Sequence, residues 1–513
     1  MPTAAEMLQA DFGSLPDVAR QHAVEHPEKP ALVVDDRSLT WSDFDAYLDR
    51  IAASLQRSGV AVGEAVSVCA GTSLDYAALY IAVLRAGAAT APIAPSVTDE
   101  QMAAMIADSG SRLVFLDADT AATLGSRKAD LSAQVIALDD SDIGVAWKDW
   151  LAAEGERPAP VKIFPDGPFN IIYSSGTTGI PKGIVHSNLM RWRQVSMGGR
   201  GNFSEAVTLN STPLYSNTTL VSFLPTIAQG GTAVLMRKFD ARKYLELAER
   251  VHATHTMLVP VQYKRIMADP EFDRFDLSAF RFKTCTSAPF AADLKREILQ
   301  RWPGKLVEYY GLTEGGCSFM LIADEFPDKL HTVGQPLPGH EAKLIDDEGR
   351  EVAPGKAGEI VGRSGTMMTG YLGREDKTRE MYWHDAEGGL WYRQGDVGRF
   401  DEDGFLVLTD RKKDMIISGG FNIFPSDIEA VARQCPGVED VSVVGVASES
   451  WGETPVAFAV GSARAEEIRA FTNERVGKTQ RLADVVMVDE LPRSAIGKVL
   501  KRELKDGYRG PAA

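Results

Sequence analysis

With 513 residues, 44% hydrophobic and 25% charged, the chain is too long for one ordinary core and has the composition of a globular protein of two or more domains. Its formal net charge of −16, from 55 basic and 71 acidic residues, excludes a broad nucleic-acid or anionic-membrane surface, so an anionic ligand must be held by a local site. The four cysteines, Cys69, Cys285, Cys317 and Cys435, show no CxxC spacing. Met1–Gly13 lacks a basic-then-apolar leader, and Pro511-Ala512-Ala513 carries no retention or peroxisomal address, so a cytoplasmic protein with reduced thiols is expected.

Helical and strand patterns alternate up to about residue 240. LPDVARQHAVEHPEKPALVVDD, from Leu15, reads as an amphipathic helix, a Pro-marked turn and a short strand. LTWSDFDAYLDRIAASLQRSG, from Leu39, predicts a helix capped by Ser42 and ended by Gly59. AVSVCA is a strand, and LDYAALYIAVLRAG a helix leading into AATAPIAP. Tyr76–Ala94 is the most apolar stretch, but Arg85 and Gly87 interrupt it, so a helix and a strand are predicted rather than a membrane span. The pattern resumes at HATHTMLVP and FKTCTSAPF. Alternation of this kind predicts an α/β fold with largely parallel sheets.

From about Leu321 to Asp410, short runs between Gly, Pro and Asp-Gly turns predict a hairpin-rich β subdomain. DIEAVARQCPGVEDVSVVGV and RAEEIRAFTNERVG then predict a compact α+β unit. No internal repeat is visible.

YSSGTTGIPKG, Tyr173–Gly183, is too poor in apolar side chains for a core segment. It follows an apolar strand, Phe169–Tyr173. Backbone N–H groups freed by glycines, with hydroxyls of Ser174, Ser175, Thr177 and Thr178, suit a multi-oxygen anion, and Lys182 adds a charge. Pro181 before that lysine and Gly183 after it break the Walker pattern, which disfavours an ordinary NTPase. His186 and Ser187 read as helix-start residues without chemistry, Ser187 as N-cap.

The loop resembles the phosphate-binding signature of the acyl-adenylate-forming superfamily: acid–CoA ligases, peptide-synthetase adenylation domains and luciferases. By that likeness Ser174, Ser175, Gly176, Thr177, Thr178, Gly179 and Lys182 would hold ATP or AMP. Further segments match in the expected order. YYGLTEGG, Tyr309–Gly316, is similar to the aromatic-Gly-x-Thr-Glu motif. Tyr309, Tyr310 and Gly311 would bind ATP or AMP, with Tyr310 stacking on adenine. Thr313 would meet the α-phosphate and Glu314 would hold Mg²⁺. TSAPF corresponds to the segment whose backbone lines adenine through Ser287, Ala288 and Pro289; Thr286 and Ser287 depart mildly from its usual Gly or Ala. WYRQGDVGRF resembles W-x-x-T-G-D-x-G, so Asp396 would bind both ribose hydroxyls, and Gln394 in place of Thr is expected to matter little.

TDRKKDMIISGGFNIFPSDIE resembles the hinge and the start of the C-terminal domain. Arg411 would reach the ribose, Lys413 would be the pivot, and Ser418, Gly419 and Gly420 would line the CoA channel. LPRSAIGKVLKREL resembles the C-terminal lysine motif, with Lys498 bridging substrate carboxylate and α-phosphate. Taken singly, these segments admit plain readings: a Gly-rich surface loop, a hairpin turn at Gly395-Asp396, a basic surface helix. Their order along one chain favours function.

The resemblance implies a large N-terminal domain (1–409) of two parallel-rich α/β sheets plus a β-barrel-like subdomain at about 321–409. A small mobile α+β lid domain (410–513) would follow a hinge at 410–413. It implies an ATP-, Mg²⁺- and CoA-dependent ligase that forms acyl-AMP and then acyl-CoA, with Lys498, Thr178 and Glu314 catalytic. No G-x-(D/H)-S carrier signature follows Lys498, so free CoA is the expected acceptor and a separate carrier protein the alternative.

STPLYSNTTLVSF resembles the acyl-pocket segment, giving Tyr215, Ser216 and Asn217, with Ser216 where many members have His. Gly315, Gly316 and Cys317 are small, so the pocket floor is expected to admit a planar ring. That, with a likeness to 4-coumarate and feruloyl ligases, points to an aryl or hydroxycinnamic acid, with a medium-chain fatty acid as the alternative. The implied partners are a small carboxylic acid and CoA, without nucleic acid or a membrane span, and with a homodimer as an option. A luciferase-like oxygenase would share these motifs. A nucleotide-binding homologue without turnover is disfavoured because Glu314, Asp396, Arg411 and Lys498 are all in place.

Overall fold

The computed structural model describes residues 2–510 apart from 140, 175–181, 197–200, 413, 419–420, 449–450 and 495–496, and does not cover the side chains of 174, 410–411, 421–422 and 479. Among the described residues, the alternating elements build two large sheets. One has nine strands, in the order Gln335–Pro336, Gly315–Ile322, Lys305–Leu312, Phe282–Cys285, His255–Leu258, Val207–Asn210, Thr232–Leu235, Pro30–Val34 and Arg37–Thr40. Its centre is parallel, and antiparallel strands close both edges. The other has eight strands, from Gly370–Tyr371 through Lys182–Ser187, Pro168–Ser174, Ala89–Pro92 and Ala65–Cys69 to Val145–Ala146.

One apolar cluster joins both sheets through the helices Trp41–Arg57, Leu74–Arg85 and Asn217–Gln229. Leu74–Arg85 is buried along its whole length, which is why its sequence is apolar on every face. Its two charges, near the ends, are both paired: Asp75 with Arg37 at 2.8 Å, and Arg85 with Asp45 at 2.5 Å and Asp49 at 2.9 Å. Among the described residues no helix is long and apolar enough to cross a membrane.

The helix Trp41–Arg57 is capped by Thr40, whose side chain accepts from the Asp43 N–H, and not by Ser42. Thr40 has the extended backbone a cap requires, whereas Ser42 is already inside the first turn. The hairpin-rich region divides: strands up to Gln335–Pro336 finish the nine-stranded sheet. A separate antiparallel sheet begins at Glu341–Ile345 and includes Gly358–Arg363, Leu390–Phe400 and Leu406–Arg411.

Among the described residues of the last hundred, a five-stranded sheet forms around the long pair Val438–Ser448 and Gly452–Gly461, with its own apolar cluster including Ile416, Ile428, Val443, Ala457 and Ile468. This unit meets the rest through Lys412, which pairs with Asp347 at 2.9 Å and Glu359 at 3.0 Å, and through Ser426, whose hydroxyl donates to the Thr409 carbonyl.

Candidate active site

Lys305–Leu312 and Gly315–Ile322 form a hairpin with Thr313 and Glu314 at its tip. Gly315 has φ +93°, and a Cβ there would lie 2.5 Å from the Thr366 carbonyl oxygen, so glycine is required by the turn. Tyr310 leaves this hairpin toward Asp396, and its hydroxyl donates to Asp396 Oδ2 at 2.7 Å. Asp396 is buried in Leu390–Phe400, opposite Arg411 of the neighbouring strand, so Gly395-Asp396 is not a hairpin turn. The residues expected at adenine and at ribose thus meet each other. The Arg411 side chain lies outside the described residues.

At the hairpin tip, Glu314 Oε1 accepts from the Tyr371 hydroxyl at 3.1 Å. Tyr371 also lies 3.2 Å from the Tyr392 hydroxyl, and the Lys182 ammonium sits 4.9 Å over its ring. Burial first, then the Glu314 carboxylate, raises the Tyr371 phenol pKa, so it remains a neutral donor. Tyr371 therefore links the lysine that closes the Gly loop to the carboxylate expected at the metal. The sequence reading missed it, since a two-residue strand inside TGYLG carries no periodic signal.

Among the described residues no three acidic, His or Cys side chains gather as a metal cage. A lone carboxylate, Glu314, fits Mg²⁺, which keeps several waters and takes its other ligands from nucleotide phosphates.

Ser287 has φ +82°, the left-handed region that costs a non-glycine residue roughly 1–2 kcal/mol. Its hydroxyl lies 2.6 Å from that of Thr218, a part-buried hydrogen bond that offsets part of this strain. The backbone geometry explains why Gly suits this place. Ala288 and Pro289 follow it before the helix Ala292–Arg301. Gly311 is also held close, since a Cβ there would meet Ser318 Oγ at 2.8 Å.

Ser216 caps the helix Asn217–Gln229, its hydroxyl accepting from the Thr218 N–H at 3.2 Å. Burial is the main cause raising the Tyr215 phenol beside it. Gly315, Gly316 and Cys317, expected on the floor of the acyl pocket, each have a local reason to be small. Both glycines have positive φ, and a Cβ on Gly316 would meet Gln394 Cγ at 3.4 Å. Cys317 lies in an apolar cluster with Phe319, Leu344 and Ile360, where burial pushes its thiol up to about 12. These residues are small for backbone and packing reasons. Gln394 also does more than expected: it is buried, and its Oε1 accepts from the Cys317 N–H at 3.3 Å.

His186 belongs to the strand Lys182–Ser187 and not to a helix start; it is fully buried, and its Nε2 lies 2.7 Å from the Thr313 carbonyl oxygen. Ser187 does accept from the Met190 N–H at 3.2 Å, as a cap would. A cap signature beside a strand end misassigned its neighbour.

Lys498 sits in a tight turn rather than on a helix. Its N–H donates to Ser494 Oγ at 3.2 Å, its carbonyl accepts from Ser494 N–H at 2.8 Å, and Arg493 reaches the Gly497 carbonyl at 2.6 Å. Arg493 is anchored in turn by Asp440 at 2.5 Å. Gly497, φ +77°, packs against the larger unit: a Cβ would lie 2.5 Å from Val261 Cγ1, at the start of the helix Pro260–Met267. The Lys498 turn is thus docked on the larger unit. Ser418 is buried in Ile416–Ser418. Ser175, Gly176, Thr177, Thr178, Gly179, Lys413, Gly419 and Gly420 lie outside the described residues, as does the side chain of Ser174.

Comparison with known proteins matches the AMP-binding enzyme family over residues 19–372 and its C-terminal domain over 427–498. The fatty acid–acyl-carrier-protein ligase ScoC of Streptomyces coeruleorubidus is 30% identical over 96% of this chain and 96% of its own. Feruloyl-CoA synthase of Amycolatopsis sp is 30% identical over 93% of this chain and 96% of its own. ATP-bound MatB from Rhodopseudomonas palustris superposes with a TM-score of 0.84 at 27% identity, over 96% of this chain and 99% of that one. With both parts of the family matched across most of its length, the chain belongs to the AMP-binding enzyme family.

Proposed function

We propose that this chain is an ATP-dependent carboxylic acid–CoA ligase, with an aryl or hydroxycinnamic acid of the ferulate or 4-coumarate kind as substrate. The observation that carries the reaction class is the joining of Tyr310, Asp396, Glu314 and Lys182 around one hairpin tip, with the Lys498 turn docked on the same unit. Asp396 would hold the ribose and Tyr310 the base. The Ser174–Lys182 loop would hold the phosphates, and Thr178 and Thr313 would donate to phosphate oxygens. The acid's carboxylate oxygen attacks the α-phosphorus, the bond to pyrophosphate breaks, and acyl-AMP forms. Two anions must approach each other, and Lys498 supplies positive charge between them. Mg²⁺ bound at Glu314 would neutralise charge on the leaving pyrophosphate.

In the second step the CoA thiolate attacks the acyl carbonyl and AMP leaves. The thiol needs the space that Lys498 occupies, so the lid domain must turn about 410–413, a rigid-body switch. Ser418, Gly419 and Gly420 would then flank the pantetheine.

The choice of acid rests on the 4-coumarate and feruloyl likeness together with the feruloyl-CoA synthase relative. The fatty acid–acyl-carrier-protein ligase relative supports a second reading, a medium-chain fatty acid or transfer to a separate carrier protein. A pyrophosphate-release screen over aryl, cinnamic and C4–C12 acids, with and without CoA, separates them. Turnover of cinnamic acids with free CoA is expected, and turnover of fatty acids alone would overturn the choice of acid.

A further inference from the structure

Between the acyl segment and the Thr313–Glu314 tip lies a buried cation whose described partners are neutral. Arg191, on the helix Asn188–Ser196, has no exposed surface. Its guanidinium donates to Asn170 Oδ1 at 3.1 Å, Gln194 Oε1 at 2.7 Å, Asn217 Oδ1 at 2.8 Å and His186 Nδ1 at 2.8 Å. Among the described residues no carboxylate pairs with it, and its neighbour Tyr80, whose phenol burial keeps protonated, supplies no counter-charge. A guanidinium taken out of water without a counter-ion is costly, so a core that only needed filling would favour an apolar side chain here.

His186 accepts from Arg191 at Nδ1, so its proton lies on Nε2, and that N–H donates to the Thr313 carbonyl. Burial and then Arg191 lower the imidazole pKa well below its usual value, while burial lowers Arg191 only to about 10. The unit therefore carries its charge on Arg191 at neutral pH. One imidazole separates that charge from the Thr313 carbonyl. The same guanidinium holds Asn217, in the segment expected to line the acyl pocket.

We propose that Arg191 is a positioning residue for acyl-AMP formation: through His186 it fixes the Thr313–Glu314 tip and presents an unneutralised positive charge behind the α-phosphate position. This rests on the reading that Thr313 faces that phosphate. In a low-dielectric interior such a charge acts beyond contact distance, whereas a surface charge would be screened. It favours AMP, which carries a phosphate, without favouring adenosine, which shares the base and ribose.

Calorimetric titration of AMP and of adenosine against the parent chain, Arg191→Gln, Arg191→Met and Arg191→Lys tests the proposal, with thermal melts confirming folded protein. The neutral variants are expected to lose about tenfold in AMP affinity with adenosine affinity unchanged, and Arg191→Lys to keep most of the parent's preference. Equal losses for both ligands, or an unchanged AMP preference, would make Arg191 a packing residue and overturn the proposal. A parent chain without preference for AMP would overturn the underlying reading of Thr313, and the proposal with it. Should neither neutral variant fold, His186→Leu and His186→Gln read the relay instead. Gln can both accept from Arg191 and donate to Thr313, so the preference should fall in the first and return in the second; an unchanged preference in both overturns the relay.

Discussion

Asp396 and Lys498 are both expected to touch the nucleotide, yet the molecule holds them in opposite ways. Asp396 sits within an eleven-residue strand, buried, paired in register with Arg411 and bonded to Tyr310. Lys498 rides on a turn closed by Arg493 and Ser494, half-buried, on the smaller unit and beside the Gly497 contact with Val261. Under the proposed reaction, a group that anchors the adenosine of ATP and then of acyl-AMP suits a rigid strand. Under the same proposal, a charge that leaves before the thiol arrives suits a turn on the smaller unit.

The largest test of that contrast is Lys498→Ala. Acyl-AMP formation is expected to fall by about 10²–10³, the usual cost of removing one group that stabilises developing charge. ATP affinity and thioester formation from preformed acyl-AMP should stay near the parent values, as quenched-flow on each half-reaction would show. Equal losses in both halves would put Lys498 among the anchors. Asp396→Ala should behave in the opposite sense, raising the KM for ATP about tenfold in steady-state assays, since a charged acceptor for the ribose is lost. An unchanged KM would remove Asp396 from the nucleotide site.

Both residues were legible as motifs, but their settings were not. A Gly-Asp pair reads locally as a turn, and only pairing with Leu406–Arg411 on one side and the more distant Gly358–Arg363 on the other makes it part of a strand. The α/β layers were readable because apolar runs are bracketed by Gly and Pro, as in the buried helix Leu74–Arg85. His186 escaped because one residue at a strand-to-helix junction has no period to report. Gly315 and Gly316 suggested space by their size, but the positive φ at both, and the Thr366 carbonyl beside Gly315, already call for glycine there.

Gly497→Ala sharpens the movable side of the comparison. The new Cβ meets Val261 and also strains a positive φ, together destabilising the docked turn. Adenylation should slow about tenfold while thioester formation from acyl-AMP is spared; parallel slowing would mean that docking matters to both halves. The smallest effect concerns the rigid side. Gln394→Thr removes the acceptor for the buried Cys317 N–H, so urea unfolding should show a loss of about 1–2 kcal/mol with the KM for ATP little changed. Unaltered stability would mean that threonine repairs the bond itself.

The central claim, that the chain activates an acid as its adenylate before any acceptor enters, is tested most directly by isotope exchange between pyrophosphate and ATP without CoA. Exchange should appear when a cognate acid is added, cease when it is withheld, and need no thiol. Exchange that required CoA, or ATP binding with no acid-dependent exchange across the acid panel, would contradict it.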